Sequence, residues 1–167
     1  MNAARSNPGG SYKKGDYEVE TNSQYKIVCR NISKTFIQKG TQRVHVLEDI
    51  NVDVTKNEFV VILGPGQSGK STLLRIIAGL ETPTSGEVLL DGKEVAGPGA
   101  DRGLVFQSYM LFPWKTVMGN VELGPELRGI HKKKRREIAH HFIELVGLQG
   151  FENHYPHQLS GGMKQRV

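Results

Sequence analysis

Early in the chain, apolar and polar residues change places at nearly every other position. YKIVCRNI, from Tyr25 to Ile32, alternates loosely, and EDINVDV sets Ile50, Val52 and Val54 on one face. A period of two marks a strand with one buried face, so both stretches predict an antiparallel β portion. FVVIL, from Phe59 to Leu63, is apolar on both faces, which predicts a central strand covered on each side. It runs into a Gly-rich turn, after which KSTLLRIIAGL places Leu73, Leu74, Ile76, Ile77 and Leu80 at helical spacing and reaches Gly79 as a stop. Strand, turn, helix is the order expected.

TPTSGE then reads as a turn cluster, EVLLDG as a short strand and GPGAD as a loop leading to a further strand, GLVFQ. From Thr116 the period changes. TVMGNVEL predicts a short helix, and KKKRREIAHHFIELVG a longer one with Ile138, Phe142, Leu145 and Val146 on its apolar stripe, ending before Gly147. A helical subdomain is therefore expected over residues 108–160, within a domain spanning 25–167. The first 24 residues are polar and rich in Gly, Ser and Asn, and predict a flexible tail. There is no internal repeat.

A chain of 167 residues suits one domain with a real core. Its longest apolar run is far too short to cross a bilayer, and no apolar secretion segment precedes the domain, so a soluble chain is expected. The single cysteine, Cys29, has no internal partner for a disulfide and is read as a buried structural thiol in a reducing cytoplasm. A net charge of +5 suits nucleic acid or a membrane surface, but much of it comes from KKKRR at Lys132–Arg136. Glu137 and an apolar stripe follow that run, which favours a solvated helix start over nucleic-acid binding. Three lysines at a helix N-terminus oppose the macrodipole, and nothing in the sequence explains them. His140 and His141 point to different faces and His154 and His157 flank Pro156, so no transition-metal site is expected. No Ser-His-Asp or Cys-His arrangement stands out.

The chemistry concentrates in GPGQSGKST, Gly64 to Thr72. Gly64, Gly69, Lys70 and Ser71 match G-x-x-x-x-G-K-[ST], here between an apolar run and a helix. Glycines let successive N–H groups turn inward onto phosphate oxygens, and the helix N-terminus adds positive potential. Lys70 supplies a mobile charge for the β- and γ-phosphates, and the Ser71 hydroxyl is the expected Mg2+ ligand beside a carboxylate from elsewhere.

Two further stretches carry little alone. Gln107 ends LVFQ, and LSGGM, Leu159 to Met163, offers Ser160 as an N-cap followed by two glycines with exposed amides. In this order, the phosphate loop, Gln107 and LSGGMKQRV resemble the ATP-binding subunit of an ABC transporter, over Tyr25 to Val167. GLETPTSGEVLLDGKEVAGPGADRGLVFQ, LFPWKTVMGNVE and YPHQLSGGMKQRV look most like the importer group serving nitrate, sulfonate, taurine and related small solutes. The resemblance implies an α/β fold: a P-loop NTPase core with an antiparallel β portion and a helical subdomain. It implies ATP and Mg2+ as ligands, with Phe36 stacking on adenine and Gly64, Pro65, Gly66, Gln67, Ser68, Gly69, Lys70, Ser71 and Thr72 cradling the triphosphate. Lys70 and Gln107 take catalytic roles, with Ser71 and Gln107 at the metal. Ser160, Gly161, Gly162 and Met163 meet the nucleotide of a second subunit, so a homodimer is implied. Implied too are permease subunits contacted near Phe112 and Trp114, a periplasmic solute-binding protein acting indirectly, and a peripheral place on the cytoplasmic face of the membrane. No nucleic-acid partner is implied.

The chain departs from the family pattern in two places. Met163 stands where the superfamily most often has glutamine, although the importer group commonly has methionine. More seriously, the family places an apolar strand ending in aspartate and glutamate after the LSGG helix, supplying the Mg2+ carboxylate and the catalytic base. The sequence stops at Val167, and neither Asp91, in a turn, nor Asp101, in a Gly/Pro loop, replaces that strand. A piece of a longer chain, or the product of a truncated gene, is therefore expected, incomplete at the C-terminus, with apolar surface exposed on its sheet edge and first helix, binding ATP–Mg2+ without hydrolysing it alone. A non-hydrolysing nucleotide-binding module and a basic nucleic-acid binder remain as alternatives.

Overall fold

The computed structural model describes residues 11–14, 17–20, 24–38, 40 and 42–167, in two compact units, Met1–Leu104 and Val105–Val167. In the first unit, β1 (Ser11–Lys14) and β2 (Tyr17–Glu20) pair as a short antiparallel ribbon inside the stretch expected to be a tail. Their ladder gives regular backbone where none was expected; the remainder of that expectation, residues 1–10, 15–16 and 21–23, lies outside the described residues.

The alternating stretches extend further than the sequence suggests. β3 (Tyr25–Gln38) and β4 (Gln42–Thr55) are fourteen residues each and pair antiparallel, with register shifts that bend the ribbon between Cys29 and Thr35. β5 (Ser85–Leu90) joins the other edge of β3, and β6 (Lys93–Glu94) joins β5, giving an antiparallel sheet in the order β4-β3-β5-β6. α1 (Lys70–Ile77) sets Leu73 and Ile76 against Cys29, Ile32, Leu47 and Val88, all buried. Arg30 spans to Asp53 on β4 through both terminal guanidinium nitrogens, and Arg102 donates to the Ala78 and Gly97 carbonyls, placing a cation at the C-terminal end of α1.

Two expected strands are absent. Phe59–Leu63 and Gly103–Gln107 have no regular structure, and Phe59 and Leu63 are almost wholly exposed. A strand apolar on both faces needs a ladder on each edge, and the four strands of the described sheet pair only with one another. Leu74 and Leu80 of the first helix region are exposed as well.

The second unit is helical. α2 (Val117–Leu127) starts at Thr116, whose hydroxyl accepts from the Gly119 N–H, and α3 (Lys132–Leu145) lies against it. The buried stripe on α3 is Ala139 and Ile143, with Val146 packed beside them against Val117, Met118, Leu148 and Leu159. The expected stripe holds at Val146 but not at Phe142 and Leu145, which face solvent while Ala139 and Ile143 are buried in their place. Both stripes have helical period, and small Ala139 permits the closer approach. Glu122, buried on α2, is met by Arg135 and Arg136, so the end of KKKRR fastens one helix to the other and is not simply solvated. After a 3-10 turn at Pro156–Gln158, α4 (Gly161–Arg166) closes the unit, and Arg166 donates to the Val146 carbonyl beyond α3.

Burial raises the Cys29 thiol from 9.0 to about 11. The neutral thiol is therefore preferred in the fold, and its contribution to stability is present below about pH 9 and lost as pH climbs through about 11. A thiol reagent applied near pH 8 should label Cys29 only after denaturant unfolds the sheet, whereas rapid labelling of the native chain would show that this core opens readily.

Candidate phosphate-binding site

The loop from Gly64 to Gly69 has its shape from two left-handed residues, Gln67 with φ 65 and Gly69 with φ 83. Gly69 is buried against β4, where a Cβ would stand 2.7 Å from both the Val46 carbonyl oxygen and a Leu47 methyl carbon. Only glycine fits there. Gly66 has open space around its Cα instead, with nothing within 4 Å of an added Cβ.

Gly69 is also the N-cap of α1, with no side-chain cap and no acidic residue in the first turn. The leading amides of a helix have no intrahelical acceptor, so this end presents donors and positive potential free of local compensation. The Lys70 ammonium folds back onto the loop, donating to the Gly64 carbonyl at 2.9 Å, the Pro65 carbonyl at 2.5 Å and Ser68 Oγ at 3.0 Å. Its three donors meet three neutral acceptors, a set that anionic oxygens replace with stronger charge-assisted bonds. Ser71 is exposed and Thr72 half-buried on the first turn. Among the described residues no carboxylate bonds to Lys70, Ser71 or Gln107, and no His, Cys, Asp and Glu cluster could hold a metal alone. A donor-rich loop with one hydroxyl fits a phosphate-bound Mg2+, whose other oxygens come with the ligand.

Phe36 sits half-buried on β3 with the Lys34 ammonium 4.8 Å from its ring centroid. One face of the ring is therefore taken by a cation.

The other expected residues lie in the second unit. Gln107 is exposed in an irregular segment, next to Phe106, whose carbonyl accepts from Gln165 of α4 at 3.4 Å. Ser160 caps α4, its hydroxyl accepting from the Met163 N–H at 3.3 Å, while Gly161 and Gly162 are exposed. The Met163 side chain packs on the helical core. Tyr109, which the sequence reading passed over, places its hydroxyl where a Cβ on Gly161 would lie, 2.7 Å away. An aromatic two residues after Gln107 was the available signal, but no local spacing links it to Gly161. Asn120 was also missed. Its side chain accepts from Phe112 N and donates to the carbonyls of Phe112, Lys115 and Thr116, fixing the loop that holds Phe112 and Trp114. Those two rings meet edge-on at 5.4 Å, and Trp114 is 71% exposed, so it does not cap the helical core.

Residues 47–167 match the family described as ABC transporter, from the β4 residue that seats Gly69 to the last residue of the sequence. The chain belongs to the ABC transporter family. It is 57% identical over 154 residues to an uncharacterized ABC transporter ATP-binding protein of Methanocaldococcus jannaschii, covering 91% of this chain and 57% of that protein. It is 52% identical to the nitrate import ATP-binding protein NrtD of Synechocystis over 82% of this chain and 51% of that one, and 49% identical to the taurine import ATP-binding protein TauB of Yersinia pestis over 72% and 48%. The chain thus spans about half the length of the curated relatives it matches. Among solved structures, it resembles a dimeric ATP-binding cassette in a post-hydrolysis state bound to ADP and Pi, with a TM-score of 0.72 and 35% identity over 84% of this chain and 66% of that one. The fold is that of an ABC ATP-binding cassette, α/β with an antiparallel sheet.

Two glycines of the loop separate folding from function. Gly69→Ala should lower stability by at least ~2 kcal/mol, since it adds a left-handed side chain to a backbone contact. Gly66→Ala should leave stability within ~0.5 kcal/mol. Chemical denaturation of the two variants checks both, and equal losses would contradict the different roles given to the two positions.

Proposed function

We propose that this chain binds ATP–Mg2+ at Gly64–Thr72 and serves as the motor subunit of an importer for a small solute of the nitrate, sulfonate or taurine kind. The observation that carries the reading is the loop itself: two left-handed residues, an uncapped helix start and a lysine held over the loop carbonyls by bonds an anion improves upon. In this reading Lys70 exchanges its neutral acceptors for β- and γ-phosphate oxygens, and the amides from Gly66 to Thr72 donate to the rest of the triphosphate. Adenine stacks on the Phe36 face opposite Lys34. Ser71 holds Mg2+, which when bound neutralises charge on the phosphate oxygens. Gln107 orients the attacking water, and Ser160, Gly161 and Gly162 of a second copy close over the γ-phosphate with their amides. Met163 contributes through packing, since its N–H is already given to Ser160.

Two copies pulled together by ATP and released after hydrolysis form a two-state device whose bias is the difference in affinity between the states. Permease subunits receive that motion near Phe112 and Trp114, from the cytoplasmic face of the membrane, while a periplasmic solute-binding protein delivers the solute. Among the described residues no helix is long and apolar enough to cross a membrane. In this scheme the permease carries the solute. Sustained hydrolysis requires a base and a Mg2+ carboxylate that Lys70, Ser71 and Gln107 do not supply.

Titration with a fluorescent ATP analogue should show binding that Lys70→Ala weakens by about tenfold to a hundredfold, the range for hydrogen bonds to a charged group. Ser71→Ala should remove the gain from added Mg2+ while leaving metal-free binding unchanged. Unaltered binding in Lys70→Ala would overturn the site, and turnover by the 167-residue chain equal to that of a complete ATPase would overturn the need for further groups.

A further inference from the structure

Six cations lie between Arg128 and Arg136, and they fall into two sets. Lys134 pairs with Glu137, while Arg135 and Arg136 reach Glu122 and Glu126 on α2. Arg128, Lys132 and Lys133 are exposed, and none of the three side chains makes an ion pair or hydrogen bond with the described residues. Beside them Leu127 is 80% exposed. Arg128 and Ile130 also border an apolar groove of about 280 Å3, walled by Val121, Pro125, Ile138 and Phe142.

This arrangement costs stability in water. Lysines crowd the first turn of α3, which holds no acidic residue, at the positive end of the helix dipole, and Leu127 leaves apolar surface exposed. One kind of surface offsets both costs at once: an anionic layer with an apolar region just beneath it. We propose that the α2–α3 turn contacts anionic lipid headgroups, with Arg128, Lys132 and Lys133 pairing with their phosphates and Leu127 entering the bilayer interface. A nucleic acid would answer only the charge. No Phe, Tyr or Trp lies between Leu127 and Arg136 to stack on bases, and the neighbouring groove is apolar. Each cation held near such a surface contributes about fivefold in partitioning, so the three together contribute on the order of a hundredfold.

The test is sedimentation of the whole chain with vesicles of phosphatidylcholine alone or mixed with phosphatidylserine. Exposed Phe59–Leu63 carries no charge, so it associates with both vesicles alike and the difference between them reads the turn. The expected result is an excess on phosphatidylserine vesicles of about a hundredfold, declining with salt. The excess should vanish in the triple variant Arg128→Gln, Lys132→Gln, Lys133→Gln, and Leu127→Ser should lower binding to the phosphatidylserine vesicles several-fold. It should be untouched by Lys70→Ala, which separates it from nucleotide binding. Equal partitioning to both vesicles would overturn the proposal, as would an excess that survives high salt or the triple variant. So would tighter binding to duplex RNA that Leu127→Ser leaves unchanged. If the triple variant loses its native circular dichroism, the salt titration of the unaltered chain decides in the same way.

Discussion

The seating of α1 and its loop on the four-stranded sheet rests on one close approach, that of Gly69 to β4. With its backbone against Val46 and Leu47, Gly69 leaves no room for a side chain and takes a conformation that few other residues adopt. That contact fixes where α1 begins. It also aligns Leu73 and Ile76 with the sheet core of Cys29, Ile32 and Val88, so the hydrophobic packing and the position of the loop are set together. A phosphate site assembled from backbone amides has no long side chains to adjust with, and its geometry is only as good as the anchoring of its loop.

With the loop anchored in this way, its charge balance follows. No acidic side chain enters the first turn of α1, and no side chain caps it. Lys70 answers the carbonyls of Gly64 and Pro65, which holds the cation against the loop and close to the place proposed for a polyphosphate. α4 in the second unit is built on a contrasting plan. Ser160 takes the Met163 amide, the two glycines stay open, and a tyrosine hydroxyl lies over the first of them. Tyr109 and Gln165 tie the segment around Gln107 to that helix, so within this unit the expected nucleotide-sensing residue and the expected partner-facing residues share one framework.

The sequence was most informative where structure is local. The phosphate loop motif, the Ser160 cap and the stops at Gly79 and Gly147 depend on residues a few positions apart, and spacing reveals them. Phe59–Leu63 was misread because a buried strand is defined by its neighbours, and apolarity on two faces does not say which strands supply the ladders. The α3 stripe agrees at Val146 and lies one residue away elsewhere, because Ile138, Phe142 and Leu145 have the same period as Ala139, Ile143 and Val146; only packing against α2 distinguishes them. Tyr109 above Gly161, Asn120 beneath the Phe112–Trp114 loop and Glu122 between two arginines join residues that sequence distance separates, and no period signals such pairs.

The central claim is that Gly64–Thr72 recognises phosphate through its backbone, with Lys70 transferred from loop carbonyls to the ligand. Amide chemical shifts from Gly66 to Ser71, followed during titration with adenosine, AMP, ADP, ATP and pyrophosphate, test it most directly. The account predicts that ADP, ATP and pyrophosphate move these amides strongly while adenosine leaves them in place. Loop amides that stay still under saturating ATP, or that respond equally to adenosine, would contradict it.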